Sequence, residues 1–486
     1  MRCLYITQEY APLFTEGGLG LTSRALPGAL QQQRGIPHDL VMPYYPWLLD
    51  RSGCRTELVC TLGELAVAGV SARAEVWRLL GHDGPCDIYL IRADPWYDRG
   101  GIYRDARYQE FGDARERAAF FGICVARWLA ERGNPYDVVH GNDWQSGPAL
   151  AHLRADRSTR KPALLMHVHS AVHQGPVTGD LARLGLPESL LTDLRRAAPE
   201  EASLLLLGLL AADRAVTCSP TYAREMKAAY ATSPLGRALV RCDLTGIVAG
   251  IDQDLWNPAA TDAGTALYSS ADVEEGKHRN RRLLRDRMGL AGDDGTPLVG
   301  ICGRLVREKG IDLVPAALDP LLRARRLQLV LIGPAEDGIR EDLLALSDRH
   351  PEGVRHLPDF DQKAAWLLYA ASDFTLMPSR EEPCGLNQLI AMRYGTLPLV
   401  TPVGGLADTV GDIERQPHDG TGWFIPECTV RAVRDTVEHA LEQLRLEPAA
   451  VLEARRRAMS RDWSWAEATV GFAGLYARLV AEVAAA

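Results

Sequence analysis

Several residue types and signals are scarce in this sequence. Lysine occurs only at positions 161, 227, 277, 309 and 363, although Lys and Arg together number 54. We interpret this arginine preference as the coding bias of a GC-rich genome, so a lysine retained in a motif is more informative. The ten cysteines show no CxxC or CxxxC spacing. Neither a zinc site nor a disulfide framework is therefore predicted, and a reducing compartment fits.

Long apolar runs and targeting signals are also missing. The longest apolar run, "ASLLLLGLLAA" at 202–212, is shorter than the roughly 20 residues that cross a bilayer, so a buried helix is predicted. The N-terminus "MRCLYITQEYAP" has the pattern of a first strand and not of a leader peptide. A net charge of −9 argues against a general nucleic-acid or anionic-membrane partner. A cytoplasmic location without membrane contact is expected.

The pattern of apolar runs predicts two α/β domains. A chain of 486 residues exceeds one hydrophobic core. Short strand-like runs alternate with helical segments, first through "RCLYIT", "HDLVMP", "CDIYLIR", "YDVVHGND", "ALLMHVHS" and "RAVTCS". After residue 250 the rhythm restarts with "PLVGICGR", "LQLVLIGP", "GVRHLPD", "FTLMPS" and "LPLVTPVGG". This order predicts parallel sheets covered by helices, in two Rossmann-like doubly wound domains at 1–245 and 246–463. A C-terminal helix at 464–486 is expected to pack back on either domain.

Ligands of such sheets bind beyond the carboxyl ends of the strands, so the loops there are the candidate sites. The first loop contains Gly17, Gly18 and Gly20 before a helix, a pattern that suits a phosphate or simply a tight turn. The second loop, "CGRLVREKGIDLV", carries Arg304 and Lys309, which are suited to clamping a diphosphate. A solvated surface pair is the alternative for these two residues.

The third loop, "SREEPCGLN", places two carboxylates before a helix start. Glu381 and Glu382 cannot both be buried and unpaired, because an isolated buried carboxylate is costly. The backbone N–H groups of Gly385 and Leu386 suit an anion. This loop therefore predicts a place where sugar hydroxyls and a phosphate are held side by side. His140 and Asp143 share another loop but lack the third ligand that a metal needs.

Six motifs together resemble the bacterial glycogen and starch synthases. They are "EGGLG", "VVHGNDWQSGPALAHL", "VTCSPTYAREM", "GIDQDLWNPAATD", "GRLVREKGIDLV" and "PSREEPCGLNQLIAMRYGTLPLVTPVGGLADTV", and the resemblance spans nearly the whole chain. It implies a GT-B fold, in which two Rossmann-like domains face a central cleft. It also implies transfer of glucose from ADP-glucose to a sugar or oligosaccharide acceptor with retention, without metal or cofactor. Partners beyond donor and acceptor are not implied, and a homo-oligomer is left open.

Residue roles follow from the resemblance by position. Arg304 and Lys309 would grip the donor diphosphate, and Glu382 would contact the donor ring's hydroxyls. His169 would act with these three as a catalytic residue, and Asp143 would line the sugar pocket with it. The remaining donor-binding positions are Gly18, Phe360 against the nucleobase, Cys384, Gly385, Leu386, Gly404 and Gly405. Attack of the acceptor on the leaving-group face, with the departing phosphate as base, is favoured over a covalent intermediate formed by Glu382.

The chain also departs from the family pattern. Where the family has Lys-x-Gly-Gly-Leu, this chain has Thr15 and Glu16 before Gly17. Leu21 stands where the family has an acidic residue shortly after that loop. Leu206 stands where the family has a lysine, and Ser170 and Ala249 stand where it has asparagine. His173 and Glu381 stand where the family has an aromatic residue. All these departures cluster where the family contacts the donor ring and acceptor. Losing partners for substrate hydroxyls typically abolishes reaction with the original substrate.

These departures favour a specialised transferase over an ordinary ADP-glucose-dependent glycogen synthase. In its GC-rich coding bias and in its altered residues around the donor ring and acceptor, the chain resembles pseudo-glycosyltransferases of acarbose-type pathways. Such an enzyme joins a nucleotide-activated valienol-type cyclitol to an amino sugar through a C–N bond. Two further classes fit the same fold, a non-catalytic nucleotide-sugar binder and a nucleotide-sugar epimerase.

Overall fold

The computed structural model describes residues 1–13, 18–47, 49, 53–105, 109–156, 160–179, 181–199, 201–260, 264–291 and 295–485. The chain divides into two compact units. The N-terminal unit comprises Met1–Ala249 and Trp465–Ala486, and the C-terminal unit comprises Gly250–Ser464. The units divide at 249/250, within the Gly- and Asp-rich segment and four residues after the boundary that the sequence predicts at 245/246.

The N-terminal unit is built on a sheet with strand order β3-β4-β5-β2-β1-β6-β7-β8-β9. Strands β2, β1, β6, β7, β8 and β9 run parallel in this order, and β5 is parallel to β2. The bounds are β1 Cys3–Ile6, β2 His38–Pro43, β3 Arg55–Val67, β4 Val70–Leu80, β5 Asp87–Arg92, β6 Val138–Asn142, β7 Ala163–Val168, β8 Arg214–Thr217 and β9 Thr245–Gly246. The predicted apolar runs coincide with β1, β2, β5, β6, β7 and β8. Their nearly continuous burial is what helices on both faces of a parallel sheet require.

The antiparallel hairpin β3–β4 is not among the strands that the sequence predicts. Its two-residue turn is Ala68–Gly69, and Val67 pairs with Val70. Both turn residues have positive φ, 52° at Ala68 and 80° at Gly69, as a type I′ turn requires. Strand β3 is largely exposed, so it lacks the short apolar run that marks the other strands.

The helices of this unit are α1 Gly18–Arg34, α2 Asp94–Tyr97, α3 Ala114–Glu131, α4 Asp143–Ala155, α5 Glu188–Ala197, α6 Leu204–Ala211, α7 Pro220–Ala229 and α8 Pro234–Arg241. Helix α6 is the predicted buried helix, and Ser203 caps it by accepting a hydrogen bond from the Leu206 amide. It packs tightly on α4, because a Cβ on Gly147 would lie 2.1 Å from the Leu204 carbonyl oxygen.

The C-terminal unit contains a parallel sheet with order β12-β11-β10-β13-β14-β15. Its strands are β10 Leu298–Cys302, β11 Gln328–Ile332, β12 Val354–Leu357, β13 Phe374–Met377, β14 Leu397–Val400 and β15 Trp423–Phe424. The sequence predicts these strands apart from the two-residue β15. The helices are α9 Val273–Met288, α10 Val314–Arg323, α11 Asp337–Arg349, α12 Gln362–Ala371, α13 Asn387–Arg393, α14 Gly404–Thr409, α15 Val430–Leu446 and α16 Pro448–Ser460.

A buried charge cluster links helices α9 and α16 to the start of β13. Asp373 accepts hydrogen bonds from Arg281 at 2.6 Å and from Arg455 at 2.9 Å. The side chains of Asp373 and Arg455 are 2% and 0% exposed. Burial by itself raises the pKa of Asp373, but the two guanidinium groups hold that pKa below its usual value. The cluster therefore keeps a negative charge inside the core.

The last helix, α17 Trp465–Ala485, belongs to the N-terminal unit. By length and composition it could cross a membrane, with a mean hydropathy of 1.3. Its buried side chains pack on the unit, and the Tyr476 hydroxyl lies 2.7 Å from His140 Nδ1. Arg34 of α1 also donates to the Ala466 carbonyl oxygen at 3.1 Å. The apolar face of α17 is thus accounted for by the core that it covers.

Candidate active site

In the C-terminal unit, three neighbouring strands present the predicted donor residues. Strand β13 lies between β10 and β14, and all three run parallel. The loop 303–310 after β10 carries Arg304 and Lys309, and the loop 378–386 after β13 carries Glu382. Because carboxyl ends of adjacent parallel strands meet at one edge, these loops are neighbours. We call them the basic loop (303–310) and the acidic loop (378–386).

The two loops are joined by an ion pair between their charged residues. Lys309 Nζ donates to Glu382 Oε1 at 2.7 Å. The other carboxylate oxygen, Oε2, accepts from the Ser379 hydroxyl at 3.3 Å. The side chains of Lys309 and Glu382 are 25% and 9% exposed. The sequence predicts separate ligands for these two residues, whereas the structure gives each the other as its partner.

Further contacts set the spacing of the basic and acidic loops. Arg380 donates to both carboxylate oxygens of Asp312, at 2.6 and 2.9 Å. The Arg380 amide donates to the Glu308 carbonyl oxygen at 2.8 Å. Gly310 has a φ of 69°, and a Cβ there would lie 1.9 Å from the Pro378 carbonyl oxygen. These contacts fix the backbone on either side of the Lys309–Glu382 pair.

Arg304 and Phe360 are the exposed members of the predicted donor set in the C-terminal unit. Arg304 is exposed and has no hydrogen bond or ion pair to the residues that the structure describes. Phe360 precedes α12 and is 56% exposed. An unpaired guanidinium on the same loop as Lys309 is suited to binding a phosphate. An exposed aromatic ring is suited to stacking on a base.

Glycines bring the segment after β14 against the acidic loop. The Gly405 amide donates to the Glu382 carbonyl oxygen at 2.9 Å. A Cβ on Gly404, whose φ is 45°, would lie 2.0 Å from that same oxygen, and one on Gly405 would lie 2.0 Å from the Cys384 carbonyl oxygen. Gly385 also has a positive φ, 71°. Cys384 is buried, and α13 begins at Asn387, immediately after Leu386.

In the N-terminal unit, the predicted sugar-side residues Asp143 and His169 lie side by side. They follow the neighbouring strands β6 and β7, and the His169 amide donates to Asp143 Oδ1 at 2.8 Å. Asp143 has a φ of 52°, a conformation that is strained for a residue with a side chain. Burial raises the pKa of Asp143 to about 7 and lowers the pKa of His169 to about 4. His169 is thus neutral, and Asp143 titrates near neutrality.

Asn142 orients the His169 ring. His169 Nε2 lies 2.8 Å from Asn142 Oδ1, which also accepts from the Tyr5 hydroxyl at 2.9 Å. Asn142 Nδ2 donates to the Ile6 carbonyl oxygen at 2.8 Å. These partners identify Oδ1 as the acceptor, so His169 carries its proton on Nε2. The sequence patterns do not single out Asn142 or Ser379, although each stands within four residues of a predicted site residue.

The predicted departures fall in different environments. Leu206 is 2% exposed in the N-terminal core, whereas Leu21 is 42% exposed on α1. His173 is exposed, and Ser170, Ala249 and Glu381 are partly buried. Gly18 begins α1, and Thr15 and Glu16 lie outside the described residues. Leu206 therefore lies in the hydrophobic core, whereas the other described departures are at least partly accessible to solvent.

Comparison with known proteins agrees with these observations. Residues 2–241 match the starch synthase catalytic domain, and residues 285–457 match glycosyl transferases group 1. The glycogen synthase of Syntrophotalea carbinolica is 34% identical over 495 residues, covering 99% of both chains. The glycogen synthase of Halorhodospira halophila is 36% identical, again over 99% of both chains. The catalytic domain of starch synthase IV from Arabidopsis thaliana, bound to ADP and acarbose, has a TM-score of 0.88 and 26% identity, and 99% of both chains is covered.

The two α/β units and the loops at their sheet edges therefore define a glycosyltransferase with the GT-B fold. Within that class, the chain belongs to the glycogen and starch synthase family. This confirms the predicted fold and the prediction of an enzyme. The alternative of a non-catalytic binder is accordingly set aside.

Proposed function

We propose that this glycosyltransferase transfers glucose from a nucleoside-diphosphate glucose to an α-glucan, with retention and without a metal ion in the chemical step. The observation that carries the proposal is the Lys309–Glu382 pair at 2.7 Å, with Arg304 exposed on the same loop as Lys309. The full-length similarity to glycogen synthases supports this function over a more specialised one. ADP-glucose is the first donor to test.

Arg304 and Lys309 are proposed to stabilise the leaving diphosphate. Negative charge accumulates on the bridging oxygen as the bond to the sugar breaks. Fixed cations near that oxygen lower the barrier, and removal of one such group typically costs about 100- to 1,000-fold in rate. Lys309 is held in place before the donor arrives because Glu382 and the Glu381 carbonyl oxygen already bind its ammonium group.

Glu382 is proposed to position the lysine and the donor ring and not to attack the sugar. Both of its carboxylate oxygens accept hydrogen bonds, from Lys309 and from Ser379. A carboxylate held in this way is a weak nucleophile because its lone pairs are stabilised by the donors. Attack of the acceptor on the leaving-group face, with the departing phosphate as base, fits retention without a covalent intermediate. On the N-terminal unit, His169 and Asp143 are proposed to line the sugar pocket.

The decisive experiment is a transfer assay with ADP-glucose and a maltooligosaccharide, using UDP-glucose and GDP-glucose to determine base preference. Chain extension by the wild-type protein, reduced about 100-fold or more by Lys309→Ala, is the expected result. Lys161→Ala is the matched control because Lys161 is an exposed lysine of the other unit. Nucleotide binding without extension of any glucan would contradict the proposal.

A second candidate function is transfer of a nucleotide-activated valienol-type cyclitol to an amino sugar, forming a C–N bond. The observation that favours it is the apolar Leu206, 2% exposed, where the family pattern has a lysine. An allylic cation in the cyclitol resembles the oxocarbenium ion, so the same cations would stabilise its leaving group. Coupling of such a donor to an amino sugar, with no extension of maltooligosaccharide, would select this candidate. The cytoplasmic location and the oligomeric state stay predictions under either candidate.

A further inference from the structure

The carboxyl ends of β6, β7 and β8 bring three histidines and a cysteine together in the N-terminal unit. His140 lies on β6, His167 and His169 lie on and just after β7, and Cys218 follows β8. Cys218 Sγ lies 3.5 Å from His169 Nδ1 and 3.9 Å from His167 Nε2. One donor atom each from His167, His169 and Cys218 fits within 4.8 Å of the others.

In His167 and His169, the ring nitrogen that faces the Cys218 thiol is the one that no other hydrogen bond among the described residues engages. His169 Nε2 is engaged by Asn142 Oδ1 at 2.8 Å, which leaves the lone pair of His169 on Nδ1. His167 Nδ1 is engaged by His140 Nε2 at 3.1 Å, which leaves Nε2 toward Cys218. The two imidazole rings stack with centroids 3.8 Å apart. Each imidazole is therefore held by a neighbour through one nitrogen and presents the other to Cys218.

The sulfur–nitrogen distances are close to those around a small tetrahedral ion. Zinc binds thiolate at about 2.3 Å and imidazole at about 2.0–2.1 Å. At the tetrahedral angle, those bond lengths separate sulfur from nitrogen by about 3.5 Å. The observed separations, 3.5 and 3.9 Å, already approach this value without an ion. The stacked rings of His167 and His169 must move apart on binding, because two imidazoles on one tetrahedral ion have centroids about 5 Å apart, against the 3.8 Å observed here.

We propose that His167, His169 and Cys218 form a Zn²⁺ site that leaves a fourth position open to water. Two imidazoles and a thiolate form a donor set that binds zinc in preference to magnesium or calcium. On binding, the Cys218 thiol loses its proton to solvent, and both imidazoles coordinate as neutral ligands. His169 is partly exposed, whereas His167 and Cys218 are 3% and 8% exposed, so the ion enters past His169.

A chain of outer contacts supports the ligands. His140 bridges His167 to Tyr476, whose hydroxyl lies 2.7 Å from His140 Nδ1. With Nδ1–H of His167 donating to His140 and Nδ1–H of His140 donating to Tyr476, Nε2 of His167 is free to bind the metal. Such outer partners typically raise metal affinity by about 10- to 100-fold. The alternative is a hydrogen-bonded core cluster with no affinity for metal.

The proposed chemistry needs no ion, but it shares His169 with the metal site. Because His169 is also proposed to line the sugar pocket, a bound ion would compete with the sugar for this residue. That consequence rests on the proposed function, whereas metal binding itself can be measured without a sugar.

The test is a Co²⁺ titration of the untagged, chelator-treated full-length protein, followed by displacement with Zn²⁺. Co²⁺ reports tetrahedral geometry through its visible bands and thiolate ligation through a sulfur-to-cobalt charge-transfer band. We expect one equivalent to bind with both signals and to be displaced by Zn²⁺. Cys218→Ala should abolish the charge-transfer band and weaken binding by more than the roughly 10- to 100-fold that loss of an outer partner costs.

Cys124→Ala is the matched control, because Cys124 is a buried cysteine of α3 in the same unit. It should bind Co²⁺ as the wild type does. His167→Gln should weaken binding while the charge-transfer band persists at saturation. Absence of a charge-transfer band in the wild type, or an unchanged band in Cys218→Ala, would overturn the assignment. Because no sugar donor is used, failure here would leave the transferase proposal unaffected.

Discussion

Lys309 Nζ and Glu382 Oε1 lie 2.7 Å apart and join the loops that follow two adjacent parallel strands. Their side chains are mostly shielded, at 25% and 9% exposed. In such surroundings the two partners attract each other strongly. Removal of one partner leaves the other as a shielded charge without a counter-charge. We therefore expect the pair to make two separable contributions, one to the stability of the C-terminal unit and one to the proposed catalysis.

A double-mutant cycle separates these contributions. Lys309→Ala should destabilise the protein by about 1–3 kcal/mol because Glu382 loses its charged partner. Combining it with Glu382→Gln should recover part of that stability, because the unpaired charge is removed. The double variant should nevertheless stay as inactive as Lys309→Ala. Urea unfolding and transfer from ADP-glucose would be measured on all four proteins, and recovery of activity in the double variant would contradict the catalytic role.

The close approach at Gly404 predicts a second sensitive position. Gly404→Ala places a Cβ 2.0 Å from the Glu382 carbonyl oxygen at a φ of 45°. The acidic loop must shift, so we expect a loss of about 1–3 kcal/mol together with weaker nucleotide binding by calorimetry. Gly338→Ala is the control, because a Cβ there has open space within helix α11. That control should be neutral or stabilising by up to about 1 kcal/mol.

The Asp373 cluster predicts a specific loss of stability in acid. The folded-state pKa of Asp373 lies below its usual value, because Arg281 and Arg455 outweigh the opposing effect of burial. A depressed pKa stabilises the fold above the unfolded value of about 3.9, and this contribution disappears as pH falls through the folded value. The free energy of unfolding, measured in urea from neutral pH to about pH 3, should fall more steeply below about pH 4 than in Asp373→Asn.

Arg455→Met tests the same cluster at neutral pH. It removes a guanidinium that is 0% exposed and leaves the Asp373 carboxylate with one fewer cation. Breaking a buried pair in this way typically costs about 3–5 kcal/mol. Arg456→Met, at a partly exposed position of the same helix where the guanidinium forms a surface pair with Glu453, should change the unfolding free energy by less than about 0.5 kcal/mol. Equal effects of the two substitutions would contradict a stabilising role for the cluster.

Leu206 offers a test of the second candidate function. Leu206→Lys restores the residue that the family pattern has, but it places an ammonium group where the side chain is 2% exposed. We expect a lower melting temperature, because an unpaired buried charge is costly, and no gain in transfer from ADP-glucose. Leu206→Met, which conserves volume, should cost less than about 1.5 kcal/mol. Faster transfer from ADP-glucose by Leu206→Lys than by the wild type would show that the leucine lowers activity with this donor.

Apolar runs were sufficient to predict the strands that are buried on both faces. β10 is an example, because "LVGIC" leaves no polar position for solvent. The hairpin β3–β4 was not predicted because β3 is largely exposed and has no apolar run. The turn of the hairpin also depends on positive φ at Ala68 and Gly69. The turn residue Ala68 has little preference for that conformation, so local sequence carried a weak signal.

Sequence by itself determined the alternation of strands and helices, the loops that carry Arg304, Lys309 and Glu382, and the family to which they belong. These features depend on periodicity and on short motifs, which are properties of neighbouring residues. Only the tertiary structure paired Lys309 with Glu382, 73 positions apart. It also brought Cys218 to His167 and His169, which are 51 and 49 positions away. Such contacts are decided by which parallel strands lie side by side, and the spacing of residues along the chain contains no record of that order.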